Sequence, residues 1–338
     1  MTGAATIAFV GDMIFDVHGN KAAAAGRPEL VWGDALPVMQ GVDAVFGNME
    51  NPVSRSEHRW RRTHKPVCHR SDPATISLLT AANFRFVNLA NNHALDFEVE
   101  GLMDTIAHLD AAGIAHAGAG RDLAAAIRPA RLAVAGTSVG VIAITDNTPA
   151  FAAGPGRAGT NYLRIDDDAA TLARIAGEVR SLRADGARLV VLSAHWGPNL
   201  RAWPSARFQR FARAAIDAGV DIFYGHSAHL LQGVERRGDG LILYDVGDLI
   251  DDVWWFKFLP YFLGALFLVD LDDGRVRGLR IVPLELRPGR IVLARGPRAQ
   301  RVFARLARRS PPGGRRQAGT GALFDHVLPT GAPAVVRP

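Results

Sequence analysis

The sequence predicts an α/β protein whose C-terminal part is rich in strands. Short apolar runs alternate with helical patterns through the first two thirds of the chain, which is the order typical of a layered α/β domain. Five of these runs end in carboxylate, amide or imidazole side chains, and the ends of adjacent strands lie close together in such domains. From residue 241 onward strand follows strand, which indicates an antiparallel addition.

The predicted strands are short apolar or β-branched runs bounded by Gly, Asp or Asn. They cover residues 7–10, 44–46, 86–89, 132–135, 139–144, 189–192, 222–224, 241–244, 265–269 and 276–282. Helices are predicted over 98–112, 172–182 and 205–218. The first and third have apolar residues at helical spacing and end at glycine, and the second follows an acidic run that suits a helix N-terminus.

Size and composition bound the domain organisation. The chain has 338 residues, of which 48% are hydrophobic, so it can bury the core of one large domain or two ordinary ones. The composition shifts to Arg, Pro and Gly near residue 288. We therefore expect one domain over residues 1–288 and a poorly packed appendix over residues 289–338.

The sequence also restricts the binding partners and the cellular compartment that we expect for the protein. The net charge is +6, and arginines are concentrated in residues 290–316 without interleaved aromatic residues, so we expect no nucleic-acid partner. The single cysteine, Cys68, excludes an internal disulfide framework. The N-terminus runs directly into a predicted strand without the charged and apolar regions of a secretory leader, so we expect a cytoplasmic protein.

Residues 253–269 form an almost wholly apolar stretch. It is shorter than the roughly 20 residues of a membrane-spanning helix, and it contains Lys257 and Pro260. We interpret its second half as a buried strand. Trp254, Trp255 and Phe256 leave two alternatives, an exposed loop or a peripheral contact with a membrane or hydrophobic partner.

Five fragments place metal-binding side chains directly after predicted strands. Each alone is typical of a turn, but together they predict one metal site with metal-assisted chemistry. Nitrogen and oxygen ligands without thiolate suit Mn, Fe or Zn. A carboxylate such as Glu50 can bridge two cations, and a histidine such as His93 can act as general acid. The candidate residues are Asp12, Glu50, Asn92, His93, His195, His226 and His229.

The order of these fragments resembles the CapA family, named for bacterial poly-γ-glutamate capsule synthesis. The resemblance runs from about residue 7 to 286 and is most specific in the Asn91-Asn92-His93 and Gly225-His226-Ser227-Ala228-His229 stretches. It implies the fold of calcineurin-type metallophosphatases, a four-layer αββα sandwich with two divalent metal ions.

The resemblance also implies a role for each residue. Asp12 and His229 would bind the first metal, Glu50 would bridge, and His93 would be the acid. The second metal would be held by Asn92, His195 and His226. Three positions depart from the superfamily pattern: Ile14 stands where a histidine is usual, Glu50 replaces an aspartate, and the last two histidines are separated by one additional residue.

Two further groups are open to more than one interpretation. Lys65, His69 and Arg70 follow Glu50 and could hold a substrate carboxylate or phosphate, or they could form a basic surface loop. The resemblance places the acidic stretch 245–252 near the site, where we interpret it as supporting or structural.

Three functions are compatible with these features. The first is a metal-dependent hydrolase acting on a phosphoester, γ-glutamyl or acyl-phosphate substrate, which would be an anionic small molecule or polymer. The second is a non-catalytic accessory protein of anionic polymer assembly, with a ligase or synthase as partner. The third is an amide-forming biosynthetic enzyme, although the sequence has no phosphate-binding loop that would support ATP use.

Overall fold

The computed structural model describes residues 3–165, 169–252 and 262–311. The strands are β1 (Ala4–Ile14), β2 (Ala44–Met49), β3 (Phe84–Asn88), β4 (Ala115–Ala117), β5 (Ala119–Gly120), β6 (Ala130–Val134), β7 (Thr137–Thr145), β8 (Gly159–Thr160), β9 (Leu189–His195), β10 (Ile222–His226), β11 (Val234–Arg237), β12 (Gly240–Leu243), β13 (Asp248–Asp251), β14 (Phe262–Asp272), β15 (Arg275–Arg287) and β16 (Arg290–Leu293). The helices are α1 (Val17–Ala24), α2 (Glu29–Trp32), α3 (Leu36–Gln40), α4 (Ile76–Ala81), α5 (Glu98–Ala111), α6 (Leu123–Ala126), α7 (Ala169–Ala184), α8 (Ala206–Asp217) and α9 (Pro297–Arg309).

Two sheets carry the fold. The first has the order β16-β15-β14-β1-β2-β3-β4, with β13 pairing to the far end of β1. In it β1 to β4 and β13 are parallel, and β14 to β16 are antiparallel. The second sheet has the order β11-β12-β10-β9-β7-β6, with its four central strands parallel.

The sheets pack face to face and helices cover their outer faces. Between them lies an aromatic core in which the rings of Phe9 and Tyr224 meet edge-on with centroids 5.1 Å apart. Helices α1 to α5 cover the first sheet, and α7 and α8 cover the second. The protein is therefore a four-layer αββα sandwich, as the resemblance implies, and the additional strands near the C-terminus are antiparallel as expected.

The part of the chain placed by the sequence in an appendix contains two ordered elements. Strand β16 pairs antiparallel with β15, and helix α9 buries Val302 and Leu306 completely in the core between the sheets. Arg301 and Arg308 of α9 are exposed, whereas Arg309 is buried with the apolar residues. A basic sequence thus still supplies an apolar stripe at helical spacing. Residues 312–338 lie outside the described residues.

Two other predictions fall partly or wholly outside the described ranges. Trp254, Trp255 and Phe256, proposed as a peripheral membrane contact, belong to residues 253–261, and the acidic run before α7 belongs to residues 166–168. Within the described ranges, no helix combines the length and apolar character needed to cross a membrane.

Candidate metal centre

The predicted site residues converge where the parallel strands of both sheets end. In the first sheet Asp12 pairs with Asn48, and Asn48 with Asn88. In the second sheet His226 pairs with His195. Because the carboxyl ends of the parallel strands of both sheets meet at one edge, side chains distant in sequence become neighbours.

One group consists of Asp12, His195 and His226, all at most 1% exposed. The two Nδ1 atoms of the histidines are 3.0 Å apart. The Oδ1 atom of Asp12 lies 3.7 Å from the Nδ1 atom of His195 and 3.4 Å from that of His226. Two imidazole nitrogens and a carboxylate oxygen facing one another are a donor set suited to a divalent transition metal.

A second group consists of Asp12, Glu50 and His229. The Oδ2 atom of Asp12 is 3.6 Å from the Nδ1 atom of His229. The Oε1 atom of Glu50 is 3.6 Å from the Nε2 atom of His195, which belongs to the first group. Asp12 is thus common to both groups, whereas Glu50 belongs to the second group and lies near the ring nitrogen of His195 that faces away from the first group.

Asparagine amides hold the histidine rings and the carboxylate. The Oδ1 atom of Asn92 lies 2.8 Å from the Nε2 atom of His195. The Nδ2 atom of Asn88 lies 3.0 Å from the Nε2 atom of His226, and Asn48 donates to Asp12 Oδ1 at 2.7 Å. These contacts orient the rings, in the way that outer hydrogen bonds orient metal-binding histidines.

The buried charge of the site fits a cation. Within the described part of the chain, neither carboxylate oxygen of Glu50 accepts a hydrogen bond, although both are buried. Burial, followed by the nearby Asp12 carboxylate, raises the pKa of Glu50 well above its usual value. Burial also raises the pKa values of Asp245 and Asp248. Buried, unpartnered carboxylate oxygens are costly unless a cation neutralises them, so the residues present fit a divalent metal.

Two residues that follow β10 have backbone φ angles that are unusual for residues other than glycine, and this conformation positions groups of the site. Ser227 and His229 have positive φ angles of 112° and 56°, which are strained for residues other than glycine. In this conformation the Ser227 amide donates to Asp12 Oδ2 at 3.0 Å, and the Ala228 amide donates to Asp245 Oδ2 at 2.8 Å. The strained turn thereby fixes both the Asp12 carboxylate and the position of His229.

His93 lies beside the metal centre and is joined to Asp96. The Nδ1 atom of His93 is 2.6 Å from Asp96 Oδ2, which leaves Nε2 for proton exchange with a substrate. Burial raises the pKa of Asp96 to about 7, although Lys65 opposes this. Burial, with the positive charge of Lys65, holds the pKa of His93 well below its usual value. The imidazole of His93 is therefore neutral at neutral pH, and the proton available to the pair is the one that Asp96 shares with His93 Nδ1.

The residues predicted to hold a substrate differ in their surroundings. Lys65 donates to the carbonyl of Asn92 at 2.9 Å and lies 3.2 Å from Asp96. The ring of His69 lies 4.7 Å from that of His93. Arg70 donates to the carbonyl of Ser56 and stacks on Phe97. Lys65 and His69 thus lie near His93, whereas Arg70 makes contacts within the protein to Ser56 and Phe97. The role of all three residues in substrate binding stays a prediction.

Four residues of the site were not among the predicted ligands or acid: Asn48, Asn88, Asp96 and Asp248. Asn48 is the penultimate residue of β2 and Asn88 is the last residue of β3, so the strand-end rule that found Asp12 would have found them too. Asp96 follows His93 by three residues, a spacing that often joins side chains in a turn. Asp248 depends on the pairing of β13 with β1, which local sequence does not reveal.

Comparison with known proteins agrees with this architecture. The family described as "Bacterial capsule synthesis protein PGA_cap" matches residues 6–253. The capsule biosynthesis protein CapA of Bacillus anthracis is 28% identical over 285 residues, which is 84% of this chain and 68% of that protein.

Two further relatives have related names. A protein named "Probable polyglutamine synthesis accessory protein" from Mycobacterium tuberculosis is 32% identical over 80% of this chain and 72% of its own length. The PGA biosynthesis protein CapA of Bacillus subtilis is 28% identical over 73% of this chain and 63% of its own length. Since the family match extends over most of the fold and every strand that carries a candidate ligand, the chain belongs to the bacterial capsule synthesis protein family.

Proposed function

We propose that this chain is a metal-dependent hydrolase that cleaves a phosphoester, γ-glutamyl or acyl-phosphate bond in an anionic substrate of capsule biosynthesis. The observation that supports it most directly is Glu50, whose two buried oxygens lack hydrogen-bond partners among the described residues and belong to a group of metal-binding side chains that shares Asp12 with a second such group. The capsule and poly-glutamate names belong to the relatives and suggest the substrate class.

The residues divide into binding and proton-transfer roles. Asp12, His195 and His226 would hold one divalent ion, with Asn92 orienting the ring of His195. Asp12, Glu50 and His229 would hold the other ion. Ions held there would activate a water and neutralise charge on the group under attack. His93, oriented by Asp96, delivers a proton from Nε2 to the leaving group.

The entrance to the site suits an anionic substrate. The deepest side chains of the site are at most 1% exposed; they are Asp12, Glu50, His195 and His226. The side chains of Asn92 and His229 are partly accessible to solvent. The ammonium group of Lys65 lies beside the carbonyl of Asn92, and 12% of the Lys65 side chain is exposed. A substrate carboxylate or phosphate would meet this positive charge as it approaches the metals.

Activity of purified protein on model phosphoesters and γ-glutamyl peptides tests the proposal. We expect turnover that requires Mn²⁺, Fe²⁺ or Zn²⁺ and disappears in His195→Ala and His226→Ala. An exposed histidine outside the site, His64, supplies the control His64→Ala, which should keep full activity. Folded His195→Ala or His226→Ala protein with native turnover would refute the hydrolase.

An accessory role without turnover is the second candidate, and the name of the Mycobacterium tuberculosis relative favours it. In that case the protein binds poly-γ-glutamate or a synthase stoichiometrically, and the metal centre serves structure. Binding of poly-γ-glutamate by metal-loaded protein that hydrolyses none of the model substrates would support this role over the first.

A further inference from the structure

The second metal position, formed by Asp12, Glu50 and His229, has an additional carboxylate beside it. Strand β13 pairs in parallel with the end of β1, so that Asp248 is the direct neighbour of Asp12. Parallel neighbours in register point to the same face of a sheet. The side chain of Asp248 therefore lies on the face that carries the metal centre.

The contacts of Asp248 resemble those of a ligand more than those of a structural residue. Its Oδ1 atom lies 2.7 Å from the Nδ1 atom of His229. Its Oδ2 atom is buried and has no hydrogen-bond partner within the described ranges, and the residue as a whole is 3% exposed. A buried carboxylate oxygen without a partner is costly, and a bound cation would satisfy it.

Asp245, three residues earlier, provides a contrast within the same segment. Its Oδ2 atom accepts from the Ala228 amide and its Oδ1 atom from the Gly247 amide, both at 2.8 Å. Both carboxylate oxygens of Asp245 therefore accept backbone hydrogen bonds, one from the turn after β10 and one from the turn before β13. Asp248 keeps one oxygen available, and this difference separates a structural carboxylate from one that can bind a metal.

The sequence of β1 explains why an additional ligand is needed here. Ile14 lies on the same face of β1 as Asp12 because strand side chains alternate, and it is 5% exposed. An isoleucine supplies no donor atom. Because Ile14 cannot bind a metal, the described residues of this position supply two carboxylates and one histidine. A tetrahedral or octahedral metal site requires more than three ligands.

We propose that Asp248 is a direct ligand of the divalent cation bound by Asp12, Glu50 and His229. This assignment rests on the metal centre of the proposed function. It concerns coordination alone, and it holds whether or not the bound metal catalyses hydrolysis.

Metal content and cobalt spectroscopy of the full-length protein test the assignment. We expect native protein to bind two equivalents of Co²⁺ and Asp248→Asn, which keeps the size of the side chain, to bind one. The matched control Asp245→Asn should keep both. In Asp248→Cys, direct coordination would give a near-ultraviolet thiolate-to-cobalt charge-transfer band, with His226→Cys as the positive control.

The outcomes separate a ligand from a residue that only orients His229. A band in His226→Cys but none in folded Asp248→Cys, or two equivalents at native affinity in Asp248→Asn, would overturn the assignment. Turnover is not part of this readout. Native protein that binds two equivalents, loses one in Asp248→Asn and hydrolyses no substrate would contradict the hydrolase and support Asp248 as a ligand.

Discussion

The Nδ1 atoms of His195 and His226 lie 3.0 Å apart, and both face the Oδ1 atom of Asp12 within 3.7 Å. Burial lowers the pKa of His195 to about 4, although Asp12 opposes the change. A neutral imidazole is the form that binds metal, so His195 can accept a cation at neutral pH without first releasing a proton.

This arrangement predicts strong stabilisation by metal. A cation that binds the folded chain at 100 times its dissociation constant adds about 2.7 kcal/mol to the free energy of unfolding. Thermal denaturation with and without Mn²⁺ or Zn²⁺ should show a higher midpoint for native protein and little change for His226→Ala. An equal shift in both proteins would mean that the metal binds elsewhere.

A second prediction concerns His93 and Asp96. Removing a general acid typically lowers turnover by about 10²- to 10⁴-fold, so we expect His93→Gln to reduce kcat by that order while metal content stays native. Asp96→Asn should also reduce kcat and alter the pH profile, because the carboxylate fixes the ring and shares its proton. Unchanged kcat in folded His93→Gln would exclude it as the acid.

The stability of the protein should fall in mild acid because of His69. Burial, with the charge of His93, lowers the pKa of His69 to about 3, whereas an unfolded histidine titrates near pH ~6.5. Below that value the unfolded chain binds a proton that the folded chain does not. Stability is therefore lost as pH falls from about 6.5 towards 3, with His69 contributing about 2 kcal/mol of loss by pH ~5.

Urea denaturation at neutral and mildly acidic pH measures this contribution. In His69→Gln the difference in free energy of unfolding between the two conditions should be smaller than in native protein. His64→Gln, at an exposed position, should keep the native difference. The same pH dependence in His69→Gln and native protein would assign the acid sensitivity to other buried groups.

A fourth prediction tests whether α9 is part of the domain. Leu306 is completely buried in the core between the sheets, and truncating such a leucine to alanine costs about 2–5 kcal/mol. We expect Leu306→Ala to lower the free energy of unfolding by that order, and the exposed Gln300→Ala to change it little. Equal stability of the two variants would show that α9 adds nothing to the core.

The candidate site was predictable from sequence to the extent that it depends on strand ends. Asp12, His195 and His226 each end or follow a short apolar run, and parallel strands bring such ends together whatever the loops between them do. Residues whose position depends on long-range pairing were not predictable in this way. Asp248 lies in a strand with only two apolar residues, and its partner β1 is more than 200 residues earlier in the chain.

The helix α9 shows a different limitation. Ala299, Val302 and Leu306 recur at helical spacing and are buried, so the pattern was present in the sequence. The high arginine content around them favoured a solvated appendix instead. Long arginine side chains can cover an apolar stripe while their charged ends reach water, and overall composition therefore conceals a helix that local periodicity indicates.

The parallel pairing of β13 with β1 also bears on the order in which the candidate metal centre can assemble during synthesis. The amide of Asp12 donates to the carbonyl of Gly247, and Asp12 pairs with Asp248, which is synthesised more than 200 residues later. A nascent chain that ends before Gly247 lacks this hydrogen bond to Asp12, and it also lacks Asp248, the proposed ligand of the second metal position. We therefore expect the second metal position to assemble only after β13 has been synthesised and has paired with β1.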